Sequence, residues 1–133
     1  MKIVLDTNVL VAGLLNPHGT PADILNLIFS EDVVLCYDDR IIIEYRSVLK
    51  RDKFRLKDED VDIIVDQFEY LGIRVDPKPL DVTIDDPDDI MFYEVLIASS
   101  SDFLVTGNIK HFLRLEDKRI ITPAGFMGRY FKK

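Results

Sequence analysis

The chain has 133 residues, 47% hydrophobic and 31% charged, which is enough for one ordinary domain with a buried core and cramped for two. Acids outnumber Lys and Arg by 24 to 17, a formal charge of −7. That balance runs against the cationic surplus of most nucleic-acid binders and suits a metal site better. No apolar run approaches the roughly 20 residues of a membrane helix and no secretion signal precedes the first apolar run, so a cytoplasmic protein with one domain over residues 1–133 is expected.

The first apolar run, Ile3-Val4-Leu5, reads as a buried strand over residues 2–6 that stops on Asp6 and turns at once into a short helix from Asn8. Thr20-Pro21 supplies an N-cap and a proline at the first helical position for a second helix, ending near Ser30. Residues 32–37, rich in Val and Leu, read as a strand covered on both faces. Cys36 lies in this run and cannot pair internally, since it is the one cysteine, so it reads as a small buried hydrophobe. Asp38 then caps a helix reaching about Lys50, with Ile42, Tyr45 and Leu49 at helical spacing and Glu44 among them.

Lys57-Asp58-Glu59-Asp60 opens the most periodic helix of the chain, through Val61, Ile64, Val65, Phe68 and Leu71, and Gly72 is placed to end it. The acids 58–62 read as its solvated side. A short strand at 73–75 and a proline-containing loop follow, and Asp86 caps a helix with Pro87 at its first position that runs to Ser99-Ser100-Ser101. Residues 103–106 read as a buried strand, 108–113 as a short helix, 119–122 as a last strand, and Pro123 starts a terminal helix weakened by Gly125 and Gly128. Strands separated by helices imply a three-layer α/β/α sandwich around a mainly parallel sheet of about five strands.

In such sheets ligands bind in the crevice beyond the strand C-termini. The strand-end acid Asp6, the helical acid Glu44, the trio Asp86, Asp88 and Asp89, and Asn108 all fall near that rim. Scattered carboxylates suit hard cations such as Mg²⁺ or Mn²⁺, which take oxygen ligands and retain several waters. His18 and His111 have no paired His or Cys, which gives zinc little support, and no Gly-rich phosphate loop or nucleophile elbow is present. Helix capping alone also accounts for an acidic run such as Asp86 to Asp89. A carboxylate directly after three buried aliphatics has no such simple explanation, because burying it is costly unless it is paired, coordinated or wet.

Several short motifs occur in order: Val4-Leu5-Asp6-Thr7-Asn8-Val9-Leu10, His18-Gly19-Thr20-Pro21, Glu44-Tyr45 with Val48-Leu49, Asp86-Pro87-Asp88-Asp89 before Phe92, Asp102-Phe103-Leu104-Val105-Thr106-Gly107, and Ile121-Thr122-Pro123 with Phe126. Together they resemble the PIN-domain family of metal-dependent ribonucleases over nearly the whole chain, and within it the bacterial and archaeal members, many of them toxins of toxin-antitoxin pairs. The resemblance implies that Asp6, Glu44 and Asp89 are the main metal-site and catalytic carboxylates for Mg²⁺ or Mn²⁺, with Asp86 as a further ligand. Thr7, Asn8, Asp88 and Thr106 are implied as supporting polar neighbours. Asn108 stands where many members carry a fourth Asp, which removes one negative charge while keeping a carbonyl oxygen. The implied partners are an RNA substrate, an antitoxin protein and a second copy of the chain, with no membrane.

Arg46, Lys50, Lys53 and Lys57, with Arg55, recur beside Glu44 and suggest a basic edge for RNA; the tail Arg129 to Lys133 is a second such surface. The same cations also suit ordinary helix-surface ion pairs. An aspartyl phosphotransferase centred on Asp6 needs a second Asp where Asn8 stands, and a receiver domain needs a companion acid pair and a better-placed Lys than Lys2 or Lys110. The remaining alternative is an RNA- or partner-binding protein of weak activity, with Asn108 as its mark.

Overall fold

The computed structural model describes residues 1–131. Its five strands, β1 (Lys2–Leu5), β2 (Val34–Tyr37), β3 (Ile73–Arg74), β4 (Phe103–Val105) and β5 (Ile120–Ile121), form one parallel sheet in the order β3-β2-β1-β4-β5. The helices are α1 (Thr7–Leu15), α2 (Thr20–Phe29), α3 (Asp39–Leu49), α4 (Asp58–Leu71), α5 (Ile90–Ser99) and α6 (Pro123–Phe131). The chain winds outward from β1 to β3, then crosses back through α5 to β4. Right-handed crossovers therefore place α1 to α4 on one face and α5 on the other, which is the expected three-layer sandwich. Central β1 is covered on both sides, and Ile3, Val4 and Leu5 are fully buried.

Aromatic packing ties the outer layer together. Phe68 of α4 stacks on Phe29 of α2 with ring centroids 5.0 Å apart and meets Tyr45 of α3 edge-on at 6.3 Å. Cys36 is fully buried, as its apolar run implies. Gly72 does end α4, but with an extended backbone (φ −92°) and not a left-handed cap. The reason for glycine is space, since a Cβ here would lie 2.5 Å from the Leu35 carbonyl oxygen.

Several boundaries differ from the expectation. The strand expected over 2–6 stops at Leu5, and Asp6 is the N-cap of α1, which begins at Thr7 and not Asn8. The helix expected from Pro87 is split into a 3₁₀ turn, Pro87–Asp89, and α5 proper, because the Asp86 side chain accepts from the Asp88 N–H at 3.0 Å and tightens the first turn. The short helix after Asn108 is also 3₁₀, over Ile109–Leu115, and a 3₁₀ turn at Asp52–Phe54 joins α3 to α4. Gly125 and Gly128 do not prevent α6, whose Phe126 is fully buried and packs edge-on against Phe103 at 5.9 Å.

Candidate metal centre

The sheet order reverses at β1 and β4, and the crevice between their C-termini is the site such a topology provides. Leu5 pairs with Val105 in register, so the next residues, Asp6 and Thr106, face one another across it. The Asp6 N–H continues the ladder to the Val105 carbonyl at 2.9 Å. The Thr106 hydroxyl donates to Asp6 Oδ2 at 2.7 Å and itself accepts from the Asn108 N–H at 3.0 Å. Asn8 Oδ1 accepts from the Gly107 N–H at 3.2 Å, tying the start of α1 to the same loop. Beneath, fully buried Tyr45 donates its hydroxyl to the Leu5 carbonyl at 2.5 Å and so fixes the residue before Asp6.

Asp6 is 5% exposed. Burial pushes its carboxyl up to about 6, with Asp89 and Glu44 adding to the push while the Thr106 hydroxyl and the Thr7 backbone hold it back. Glu44 reaches the same crevice from α3, oriented by a hydrogen bond from the Thr7 hydroxyl. Asp89, at the head of α5, is also raised, first by burial and then by its neighbours Asp86 and Asp88, against a lowering hydrogen bond from His111. Among the described residues no Lys or Arg pairs with Asp6, Glu44 or Asp89. This donor set suits a divalent cation, since Asp6 is nearly dry, Asp89 and Glu44 lie near enough to disfavour its charge, and no protein cation offsets them; the described residues that bring three ligand atoms within 4.8 Å of one another are Asp86, Asp89 and His111, a group without Asp6 or Glu44.

The other expected residues fall as follows. Asp86 approaches Asp89 and His111, with one ligand atom from each of the three lying within 4.8 Å of the others. Asp88 is exposed, and Asn108 is exposed at the start of the 3₁₀ turn Ile109–Leu115. His111, set aside in the sequence for want of a paired His or Cys, meets Asp89 Oδ2 through Nδ1 at 2.9 Å. Its position three residues after Asn108 was the one available signal.

The expected basic edge is largely neutralised. Arg46 binds Asp62, Asp66 and Glu69 at 3.0, 2.6 and 2.8 Å, and Lys50 binds Asp62 at 2.9 Å. These pairs clasp α3 to α4, which also corrects the reading of the acids 58–62 as solvent-facing only. Lys53 stands apart, its ammonium 5.1 Å from the centre of the Phe54 ring. At the other end of the sheet, Arg129 lies over the ring of Phe103, the first residue of β4, and so sits away from the carboxylate rim. Lys132 and Lys133 lie outside the described residues.

Two hollows flank the acids. One of about 360 Å³ runs between α1 and α3, lined by Thr7, Asn8, Val11, Glu44, Val48 and Phe54. The other, about 410 Å³, is lined by Gly107, Asn108, Lys110, His111 and Thr122.

A PIN-domain family profile matches residues 2–110. The uncharacterized protein MJ1680 of Methanocaldococcus jannaschii is 31% identical over 146 aligned positions, which span 99% of this chain and 93% of that protein. In three dimensions the chain is similar to one in the crystal structure of VapBC2 from Rickettsia felis bound to a DNA fragment from their promoter. The TM-score is 0.59 and the identity 21%, with 92% of this chain and 97% of that one covered, a likeness of fold. The protein belongs to the PIN-domain family, whose members are generally metal-dependent nucleases.

Proposed function

We propose that the protein is a divalent-metal-dependent endoribonuclease, with Mg²⁺ or Mn²⁺ held by Asp6, Glu44 and Asp89 and assisted by Asp86 and the Asn108 carbonyl. The observation that carries this reading is Asp6, a nearly buried carboxylate at the sheet's switch point, pushed up to about 6 and facing further acids with no Lys or Arg paired to it. A bound cation would lower the pKa of a coordinated water and neutralise charge developing on the phosphate. Glu44, oriented by Thr7, is the carboxylate suited to take a proton from the attacking water. Thr106 fixes Asp6, and Asn8 fixes the Gly107 loop, so the supporting polar groups hold the rim before substrate arrives. Asp88 contributes charge near Asp89. Water replaces the 3′ oxygen on phosphorus, giving a 5′-phosphate and, after protonation, a 3′-hydroxyl.

The flanking hollows give the RNA two directions of exit. Phe54 offers a ring on the α1–α3 side, with Lys53 beside it for a phosphate, and Lys110 lines the other hollow. With Arg46 and Lys50 engaged by acids of α4, these two lysines carry the contact to the backbone. The likeness to a VapBC2 chain supports a further reading, that the protein is the toxin half of a toxin-antitoxin pair.

The test is cleavage of mixed single-stranded RNAs with Mn²⁺ or Mg²⁺, with and without a chelator. We expect metal-dependent fragments bearing 5′-phosphates; cleavage that persists in chelator rejects the mechanism. Binding of RNA without any cut would favour the weakly active alternative.

A further inference from the structure

We propose that His111 is a nitrogen ligand of the divalent-cation site, converging with Asp86 and Asp89, and that it biases the site toward Mn²⁺ over Mg²⁺. The proposal rests on reading the acidic rim as a metal site, and it assigns a residue that neither the family resemblance nor the motif spacing supplied.

One ligand atom each from Asp86, Asp89 and His111 lies within 4.8 Å of the other two. His111 Nδ1 and Asp89 Oδ2 are 2.9 Å apart. Two ligands held at right angles about 2.1 Å from a six-coordinate cation stand roughly 3 Å apart, so a metal can replace the proton now shared by this pair with little movement of either side chain. The imidazole is 43% exposed and the carboxylate 15%, which leaves an open approach from solvent.

Asn108 caps the 3₁₀ turn Ile109–Leu115, and the His111 N–H donates to the Asn108 carbonyl at 3.0 Å, one turn further on. Asn108 and His111 line the same hollow, so His111 stands beside the position where the family resemblance implies an Asp in many members. The exchange replaces an anionic oxygen ligand with a neutral nitrogen. Mg²⁺ is selective for oxygen and dehydrates reluctantly, whereas transition ions accept imidazole readily. A site with one nitrogen and fewer negative charges therefore loses more affinity for Mg²⁺ than for Mn²⁺.

A purely structural role is the competing account: His111 would hold Asp89 by a hydrogen bond and touch no metal. Pulsed electron paramagnetic resonance on the metal-free full chain loaded with Mn²⁺ separates the two. Direct ligation gives a ¹⁴N coupling in the wild type that is absent in His111→Ala; a hydrogen bond to a ligand gives no such coupling. Calorimetric titrations with Mn²⁺ and Mg²⁺, without RNA, supply the second readout. His111→Ala is expected to weaken Mn²⁺ binding by roughly tenfold or more while moving Mg²⁺ much less, and His111→Asp to narrow the gap between the ions. Absence of nitrogen coupling in the wild-type complex, or an unchanged Mn²⁺ to Mg²⁺ ratio in folded His111→Ala, overturns the proposal. Because the spectrum of the wild type needs no variant, a misfolded mutant does not block the test. Nitrogen coupling in a chain that cuts no RNA would reject the nuclease reading and leave the ligand in place; metal-dependent cutting without the coupling would do the reverse.

Discussion

Asp6→Asn is expected to give a chain that melts higher than the wild type in the absence of metal and no longer cleaves RNA. Burial raises the Asp6 carboxyl from 3.8 to about 6, so at neutral pH the folded state holds a charge that its surroundings disfavour. A shift of about two units corresponds to roughly 3 kcal/mol, and a neutral isostere that still accepts from Thr106 should recover about 1–3 kcal/mol of it. For a chain of this size that is a rise in Tm of several degrees, on the order of 3–10 °C. The sign fixes the pH dependence. An acid whose folded pKa is raised stabilises the fold below its unfolded value and loses that contribution as pH rises through the folded value, here between about 4 and 6. The gap between variant and wild type should open across that window and stay constant above it. Activity moves the other way, falling by roughly a hundredfold or more, because the cation loses its most buried ligand. A variant that melts lower than the wild type and cuts as well would show Asp6 to be an ordinary structural acid.

The second large effect is expected at Arg40, one turn before Glu44 on α3 but outside every motif. Its guanidinium spans Asp38 at 2.7 Å and Glu94 at 2.8 Å, two carboxylates whose side chains are 7% and 6% exposed. Glu94 also accepts from the Leu80 N–H at 2.8 Å, pinning the loop that leads toward Asp86, and Asp38 caps α3 by accepting from the Ile41 N–H at 3.0 Å. Arg40→Ala strands both acids without a cation. Breaking a fully buried pair costs about 3–5 kcal/mol, and since Arg40 itself is 47% exposed the expected loss is nearer 2–4 kcal/mol in urea unfolding. Arg40→Lys, which keeps the charge but not the fork that serves two acids at once, should recover only part of it. A loss below about 0.5 kcal/mol for Arg40→Ala would mean that water, not Arg40, satisfies these carboxylates.

The contrast between these residues shows what a sequence makes legible. Asp6 stands out because it ends three aliphatics, and the pattern of the strand itself makes the acid anomalous. Glu94 is as buried, yet it lies inside the apolar helix between Tyr93 and Val95, and its partners are 54 residues away at Arg40 and 14 away at Leu80, distances over which spacing carries no signal. Arg46 and Lys50 looked like a basic edge for the same reason. Their charge is visible in the sequence, but the register of α3 against α4, which delivers Asp62, Asp66 and Glu69 to them, is a product of core packing around Tyr45 and Phe68. His111 carries no paired His or Cys in the sequence because its companions are carboxylates from another element. The layers and the mainly parallel sheet, by contrast, follow from period and connection length, which are local properties, while the order β3-β2-β1-β4-β5 is fixed by pairing between distant segments. The boundary difference at Pro87 arises where the Asp86 side chain competes with the backbone for a hydrogen bond, whereas at Asp6 the backbone carbonyl already accepts from the Val9 N–H at 3.0 Å and so serves the helix.

The central claim is that Asp6 anchors a divalent-cation site. Calorimetric titration of Mn²⁺ into the metal-free chain at pH 7.5, for the wild type and for Asp6→Asn, tests it without reference to any substrate. Saturable binding by the wild type that is lost or weakened by roughly a hundredfold in Asp6→Asn is the predicted result. Equal binding by the two chains, or none by the wild type, would contradict the account.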